Sequence, residues 1–239
     1  MNAESGRVAL VTGGTRGIGR AIVEALLEEG WRVFFCARTA ASVSAAEREL
    51  GARFAGRVAG RRADVRRESE AEGLVGWVLA EAGRLDCLVN NAGLGVFAAV
   101  DELSGEDFRE VVETNLHGPF YLMRAAAPAM KRQGSGWIVN IASLAAKNPF
   151  AGGAAYNASK FGLVGMSEAA MLDLRHHGVR VAAILPGSVA TEFRAGRTAE
   201  ETDWMLQPAD VARAVADLLR YPGRALPSLI EMRPSRPRK

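Results

Sequence analysis

An apolar run at Arg7–Thr12 halts in a glycine cluster, Gly13–Gly19, and resumes as a helical pattern carrying Ile22, Val23, Leu26 and Leu27. A short apolar run bounded by glycine reads as a buried strand, whereas spacing of three and four residues marks one face of a helix. The same change of period recurs along the chain. Arg32–Ala37 reads as a second strand, Ala40–Phe54 as a helix and Val58–Asp64 as a third, weaker strand. Leu74, Val75, Val78 and Leu79 share a helical face that Gly83 ends before a strand at Cys87–Asn90. A long helix is predicted around Asn115–Arg132, a strand at Gly136–Ile141, a helix near Ala155–His177 and a strand at Val179–Leu185. Asp210–Leu219 is the last strong helix, and Ser228–Met232 forms a final edge strand. Apolar strands alternating with covering helices predict an α/β fold, a doubly wound and mostly parallel sheet with helices on both faces.

With 239 residues, 49% of them hydrophobic, the chain can build one substantial core, and residues 1–239 are expected to form a single domain. Cys36 and Cys87 lie in apolar segments and are too few for a disulfide scaffold. They read as reduced core thiols of a cytoplasmic protein. Nothing near the start resembles an export signal, and no apolar run is long enough to span a bilayer, so no membrane role is expected. Thirty basic and 27 acidic side chains leave a net charge of +3. Arg233, Arg236, Arg238 and Lys239 supply more than all of it, which predicts a solvated, flexible basic tail at 233–239 rather than a nucleic-acid arm.

Thr12-Gly13-Gly14-Thr15-Arg16-Gly17-Ile18-Gly19 sits between the first strand and the first helix. Glycines there permit a tight turn and close backbone approach, and the amides opening the helix can receive phosphate charge. The setting predicts a dinucleotide site. The Gly-Lys-Ser/Thr ending of a nucleotide-triphosphate loop is absent.

With these residues the chain resembles the short-chain dehydrogenase/reductase family in its single-domain Rossmann form. By that resemblance Gly13, Thr15, Arg16, Gly17, Ile18 and Gly19 make the cofactor turn. The second strand ends Cys36-Ala37-Arg38, where a dehydrogenase for the unphosphorylated cofactor often carries an acid. Arg38 can make a bidentate contact with a 2′-phosphate and Arg16 can approach it from the turn, although either alone also reads as a solvated surface cation. Together they favour NADP(H). The resemblance also implies that Asp64 and Val65 contact the adenine and that Asn91, Ala92 and Gly93 support the adenosine. Asn90 is expected to be mainly structural.

Tyr156 and Lys160 are four residues apart, so on a helix they project from one face toward one ligand. Alone, Ser143 would read as a helix cap and Asn115 as an N-cap. The family pattern implies otherwise. Ser143 would hydrogen-bond the substrate oxygen, and Tyr156 would give or take its proton. Lys160 would bind the nicotinamide ribose and favour tyrosinate, and Asn115 would hold a water in a proton relay. Pro186, Gly187, Val189 and Thr191 would form another cofactor loop, the Val189 backbone meeting the carboxamide. His117, His176 and His177 form no ligand set, and no metal is expected.

The implied activity is hydride transfer between NADP(H) and a small or medium carbonyl/alcohol substrate. A 3-oxoacyl-thioester reductase is the alternative within enzymes; a nicotinamide-binding sensor without turnover and an interaction protein are those outside them. Leu94, Phe97, Lys147, Asn148, Phe150 and Trp204 are candidate pocket-rim residues, and suggest a neutral or partly apolar substrate. The chain between Thr191 and Pro208 is short for this family, which argues against a long substrate lid. Its ending, Pro227-Ser228-Leu229-Ile230-Glu231-Met232-Arg233-Pro234, departs from the glycine-rich ending common in tetrameric members. A homodimer is therefore favoured, with a tetramer as the alternative.

Overall fold

The computed structural model describes residues 6–192 and 202–237. Seven strands form one sheet: β1 (Val8–Thr12), β2 (Arg32–Ala37), β3 (Val58–Arg62), β4 (Cys87–Asn90), β5 (Gly136–Ile141), β6 (Val179–Pro186) and β7 (Leu229–Met232). They lie in the order β3-β2-β1-β4-β5-β6-β7, and every pairing is parallel. The helices among the described residues are α1 (Gly17–Glu28), α2 (Ala40–Arg53), α3 (Glu68–Ala82), α4 (Gly105–Val112), α5 (Gly118–Gln133), α6 (Ala154–Leu174) and α7 (Pro208–Leu219).

The inner strands read as nearly unbroken apolar runs because the sheet is covered on both faces there, whereas edge strand β3 ends in exposed Arg61 and Arg62. Ala9 and Val11 of β1 face one core with Phe35, Ile22 and Leu26 of α1, and Val211 and Val215 of α7. Val8 and Leu10 face the other with Phe34, Leu74 of α3, and Leu122 and Met130 of α5. Neighbouring residues on one strand thus serve opposite layers, as the two-residue pleat requires.

The helix predicted around Asn115–Arg132 begins earlier and is not regular. Helix α4 starts at Gly105, where the Ser104 side chain accepts from the Asp107 amide at 3.0 Å. It runs into a π-helical turn at Glu113–His117 before α5. Thr114 Oγ1 donates to the Glu110 carbonyl at 2.8 Å inside that turn. Asn115 is therefore an interior residue of a widened turn and not an N-cap. Such π-bulges put one extra residue into a helix and re-aim its side chains.

Strand order reverses between β1 and β4, which opens a crevice at their C-terminal ends. Side chains close its floor. Buried Thr12 Oγ1 accepts from the amides of Asn91 and Ala92, both at 3.0 Å. Asn91 Nδ2 donates back to the Thr12 carbonyl at 2.9 Å. One strand along, buried Asn90 donates to Asn140 Oδ1 at 2.8 Å, and Asn140 donates to Ser167 of α6 at 2.7 Å. Asn90 thus ties the central strands to α6.

Candidate active site

The glycine turn is built by close approach as much as by conformation. Gly13 lies at φ +66°, a region that side chains rarely adopt. Gly19 has an ordinary φ, yet a Cβ there would stand 2.2 Å from the Gly13 carbonyl oxygen and 2.4 Å from Asn91 Nδ2. The first turn of α1 is thus pressed onto the turn and onto β4. Its N-cap, Arg16, makes no side-chain capping bond, so the leading amides of α1 face the crevice with no side-chain cap.

The crevice opens into a cleft of about 1140 Å³ that runs from the glycine turn and Arg38 to Ser143, Tyr156 and Lys160. Each residue expected to contact a cofactor lines it: Gly13, Thr15, Arg16, Gly17, Ile18 and Gly19 at one end, then Arg38, Asp64 and Val65. Asn91, Ala92 and Gly93 line its floor, and Pro186, Gly187, Val189 and Thr191 its far wall. That wall is braced by Ala190 N–H donating to the Leu206 carbonyl at 2.8 Å and Leu206 N–H donating to the Ser188 carbonyl at 3.0 Å. Neither bond uses Val189's own amide or carbonyl.

At the adenine end the charges are densely paired. Arg66 grips Asp64 with Nε at 3.0 and 3.1 Å and Nη2 at 2.7 Å, and its amide donates to Oδ1 at 3.1 Å. These bonds from Arg66 hold the Asp64 carboxyl below its ordinary range. Both carboxylate oxygens expected to serve adenine thus already accept from Arg66. Val65 packs under α5, its Cγ2 2.9 Å from where a Gly118 Cβ would be. Thr39 and Ser42, on the first turn of α2, also line the cleft, with their hydroxyls 2.6 Å apart. Sequence reading passes over both; the signal is two hydroxyl residues opening a helix beside Arg38.

At the catalytic end, Ser143 sits just past β5, where its Oγ accepts from the Ala145 amide at 3.1 Å. The hydroxyl proton remains available to a substrate oxygen. Lys160 is 4% exposed, and its Nζ donates to the Ile141 carbonyl at 3.0 Å. Desolvation lowers its pKa to about 8. The same Nζ lies 5.7 Å from the centre of the Tyr156 ring, which stands 5.6 Å from the Phe97 ring.

Asn115 lies beneath the cleft, fully buried. Its Nδ2 donates to the Leu94 carbonyl at 2.8 Å and to Ser159 Oγ at 3.0 Å, while its Oδ1 accepts from the Leu94 amide at 2.8 Å. Both amide protons are spent, leaving one lone pair on Oδ1. A Cβ on Gly93 would lie 3.4 Å from that oxygen and 3.9 Å from Lys160 Nζ, which places Gly93 beside both groups. Asn157, which carries no signal in the sequence, donates to the Ala145 carbonyl at 2.7 Å and anchors the Ser143 loop to α6.

The pocket rim needs correction. Phe97, Asn148, Phe150 and Trp204 line the cleft, but Leu94 and Lys147 do not. Leu94 is held by its backbone to Asn115, and Lys147 pairs with Glu231 at 2.6 Å. Arg233, Pro234 and Pro237 also border the cleft, which places the start of the basic tail along its wall. Residues 238–239 and most of the segment between Thr191 and Pro208, where the short lid was expected, lie outside the described residues. Both thiols are buried, with Cys36 pushed up to about 12 by desolvation and Cys87 raised by the same cause. No helix among the described residues is long and apolar enough to cross a membrane.

A family model described as short chain dehydrogenase matches residues 7–202. The chain belongs to the short-chain dehydrogenase family. A Streptomyces coelicolor protein bearing the provisional name ketoacyl reductase is 40% identical, over 94% of each chain. The L-fucose dehydrogenase of Mus musculus is 38% identical, over 90% of this chain and 82% of the relative. A solved structure of an actinorhodin polyketide ketoreductase variant with NADPH matches with a TM-score of 0.88 and 36% identity, over 98% of each chain. This short-chain dehydrogenase is thus an oxidoreductase on a single Rossmann-type sheet.

Proposed function

We propose that this enzyme transfers hydride between NADP(H) and a small or medium carbonyl/alcohol pair, with Ser143, Tyr156, Lys160 and Asn115 as its working side chains. The observation that carries the reading is the shared cleft, in which Tyr156, Ser143 and buried Lys160 stand at one end and Arg16 and Arg38 at the other. A backbone cradle that a Cβ would fill at Gly19, and α1 amides without a side-chain cap, fit a pyrophosphate. Arg38, Thr39 and Ser42 fit a 2′-phosphate.

NADP(H), when bound, supplies or accepts the hydride. Ser143 donates to the substrate oxygen and holds it in place as charge develops there. Tyr156 gives its phenolic proton to that oxygen during reduction and takes it back during oxidation. An ammonium at Lys160 Nζ favours the phenolate by charge, and burial keeps this attraction from being screened. The remaining lone pair on Asn115 Oδ1 can accept from a water on the path between Lys160 and solvent. The apolar rim of Phe97, Phe150, Trp204 and Met205 suits a neutral or acyl substrate. The name of the Streptomyces relative supports the second reading, a 3-oxoacyl-thioester reductase.

The enzyme acts as a cytoplasmic homodimer in this reading. Phe120 of α5 and Phe161 and Leu172 of α6 are large apolar side chains left about half exposed, and they offer a face for a second copy. The deciding assay follows loss of reduced-cofactor absorbance over aldehydes, ketones, hydroxy acids and acyl thioesters, with NADPH and NADH run separately. Turnover with NADPH that falls by about 10²-fold or more in Tyr156→Phe, with cofactor affinity kept, supports the proposal. Equal turnover by that variant, or preference for NADH, overturns it.

A further inference from the structure

Three arginines crowd the C-terminal ends of β2 and β3, and they are held with unequal strength. Arg62 donates to Glu70 at 2.7 Å. Arg66 is bound to Asp64 through two nitrogens and to Glu110 Oε1 at 2.7 Å. Arg38 reaches that same Glu110 oxygen at only 3.4 Å, and its side chain is 52% exposed. Of the three, Arg38 is therefore the guanidinium that an incoming anion can recruit at least cost.

We propose that Glu110 tunes the preference for the phosphorylated cofactor by competing with its 2′-phosphate for Arg38. The inference rests on the reading of Arg38 as a 2′-phosphate ligand. Carboxylate and phosphate are rival acceptors for one guanidinium, and a phosphate on Arg38 also brings two like charges near each other. Glu110 does not leave when Arg38 does, because the shorter bond from Arg66 anchors it. Arg66 in turn stays on Asp64, so the exchange frees one arginine without stranding a charge. A cofactor with an unmodified ribose has no dianion to offer Arg38, so Glu110 should leave its affinity untouched. Glu110 is thus a specificity-determining residue that acts through Arg38.

The test titrates NADP⁺ and NAD⁺ by calorimetry into the wild type, Glu110→Gln, Arg38→Ala and the double variant. Glutamine keeps an oxygen for Arg66 while removing the charge, and a thermal melt verifies the fold. An exposed ion pair of this kind sets the scale, so Glu110→Gln should bind NADP⁺ about two- to fivefold tighter, with NAD⁺ unchanged. In the Arg38→Ala background the same substitution should change neither affinity. An unaltered NADP⁺/NAD⁺ ratio in Glu110→Gln, with the preference lost in Arg38→Ala, overturns the competition alone. A Glu110→Gln effect that persists without Arg38 also overturns it, by placing the action on Arg66 and Asp64. A ratio insensitive to Arg38→Ala sinks the phosphate-ligand reading underneath.

Discussion

Replacing Lys160 with methionine should stabilise the fold at neutral pH while removing activity. Burial lowers the lysine from 10.5 to about 8 in the folded protein, so protonating it there is opposed. At about 1.4 kcal/mol per pKa unit, the penalty for carrying the ammonium at pH 7 is on the order of 3 kcal/mol. Methionine removes that penalty but leaves the Ile141 carbonyl without the 3.0 Å bond from Nζ, a loss of about 1 kcal/mol. The net gain at pH 7 is roughly 2 kcal/mol. Its pH dependence follows from linkage. Between pH 8 and 10.5 the unfolded chain holds a proton at this site that the folded chain has lost, so the wild type gains stability as pH rises. The advantage of the variant is full below pH 8 and fades toward 10.5. Urea denaturation of both proteins at pH 7 and at pH 9.5 reads this directly, beside NADPH oxidation at each pH. A variant less stable than wild type at pH 7, or a difference that does not shrink at pH 9.5, would refute the argument that Lys160 is retained against the interest of the fold.

Gly19→Ala should cost roughly 1–3 kcal/mol through overpacking and weaken NADP⁺ binding by tenfold or more, since its methyl would meet the Gly13 carbonyl at 2.2 Å. Gly76→Ala, on α3 with nothing within 4 Å of its Cβ, should instead gain up to about 1 kcal/mol and leave binding unchanged. Melting curves and cofactor titration separate the two. Phe161→Asp on the exposed face of α6 should shift the enzyme toward monomer in sedimentation; an unchanged mass would show that assembly uses another face.

The sheet is legible in the sequence because a strand buried on both faces must be apolar throughout, and glycines or charges then mark its ends. The predicted limits of β2, β4 and β5 match the structure residue for residue. Helix α4 escapes prediction for the opposite reason. Phe108, Val111 and Val112 repeat at helical spacing, but its eight residues make little more than two turns and only Val111 is buried, so the run is too short to declare a helix by period alone. What does mark it is Ser104 followed three residues later by Asp107, a capping pair that local sequence spacing alone displays. The π-turn that follows leaves no comparable mark. The bonds made from it join Asn115 to the Leu94 backbone and Ser159, partners 21 and 44 residues away that local spacing does not display.

That difference between the elements bears on how the site works. Tyr156 and Lys160 share a helix, and local spacing alone brings them together. Asn115 reaches the same region from a separate element, the π-turn, where bonds to the Leu94 backbone and Ser159 hold it. The two halves of the site are thus held by different physics, α6 by regular helical geometry and Asn115 by a buried hydrogen-bond clamp. A substitution that restores regular helix at Glu113–His117 would leave Tyr156 and Lys160 in place while withdrawing Asn115, and would separate proton relay from proton transfer. Shortening the turn by deleting Leu116 should therefore depress turnover more than cofactor affinity, whereas a parallel loss of both would mean that the turn supports the fold and not the relay.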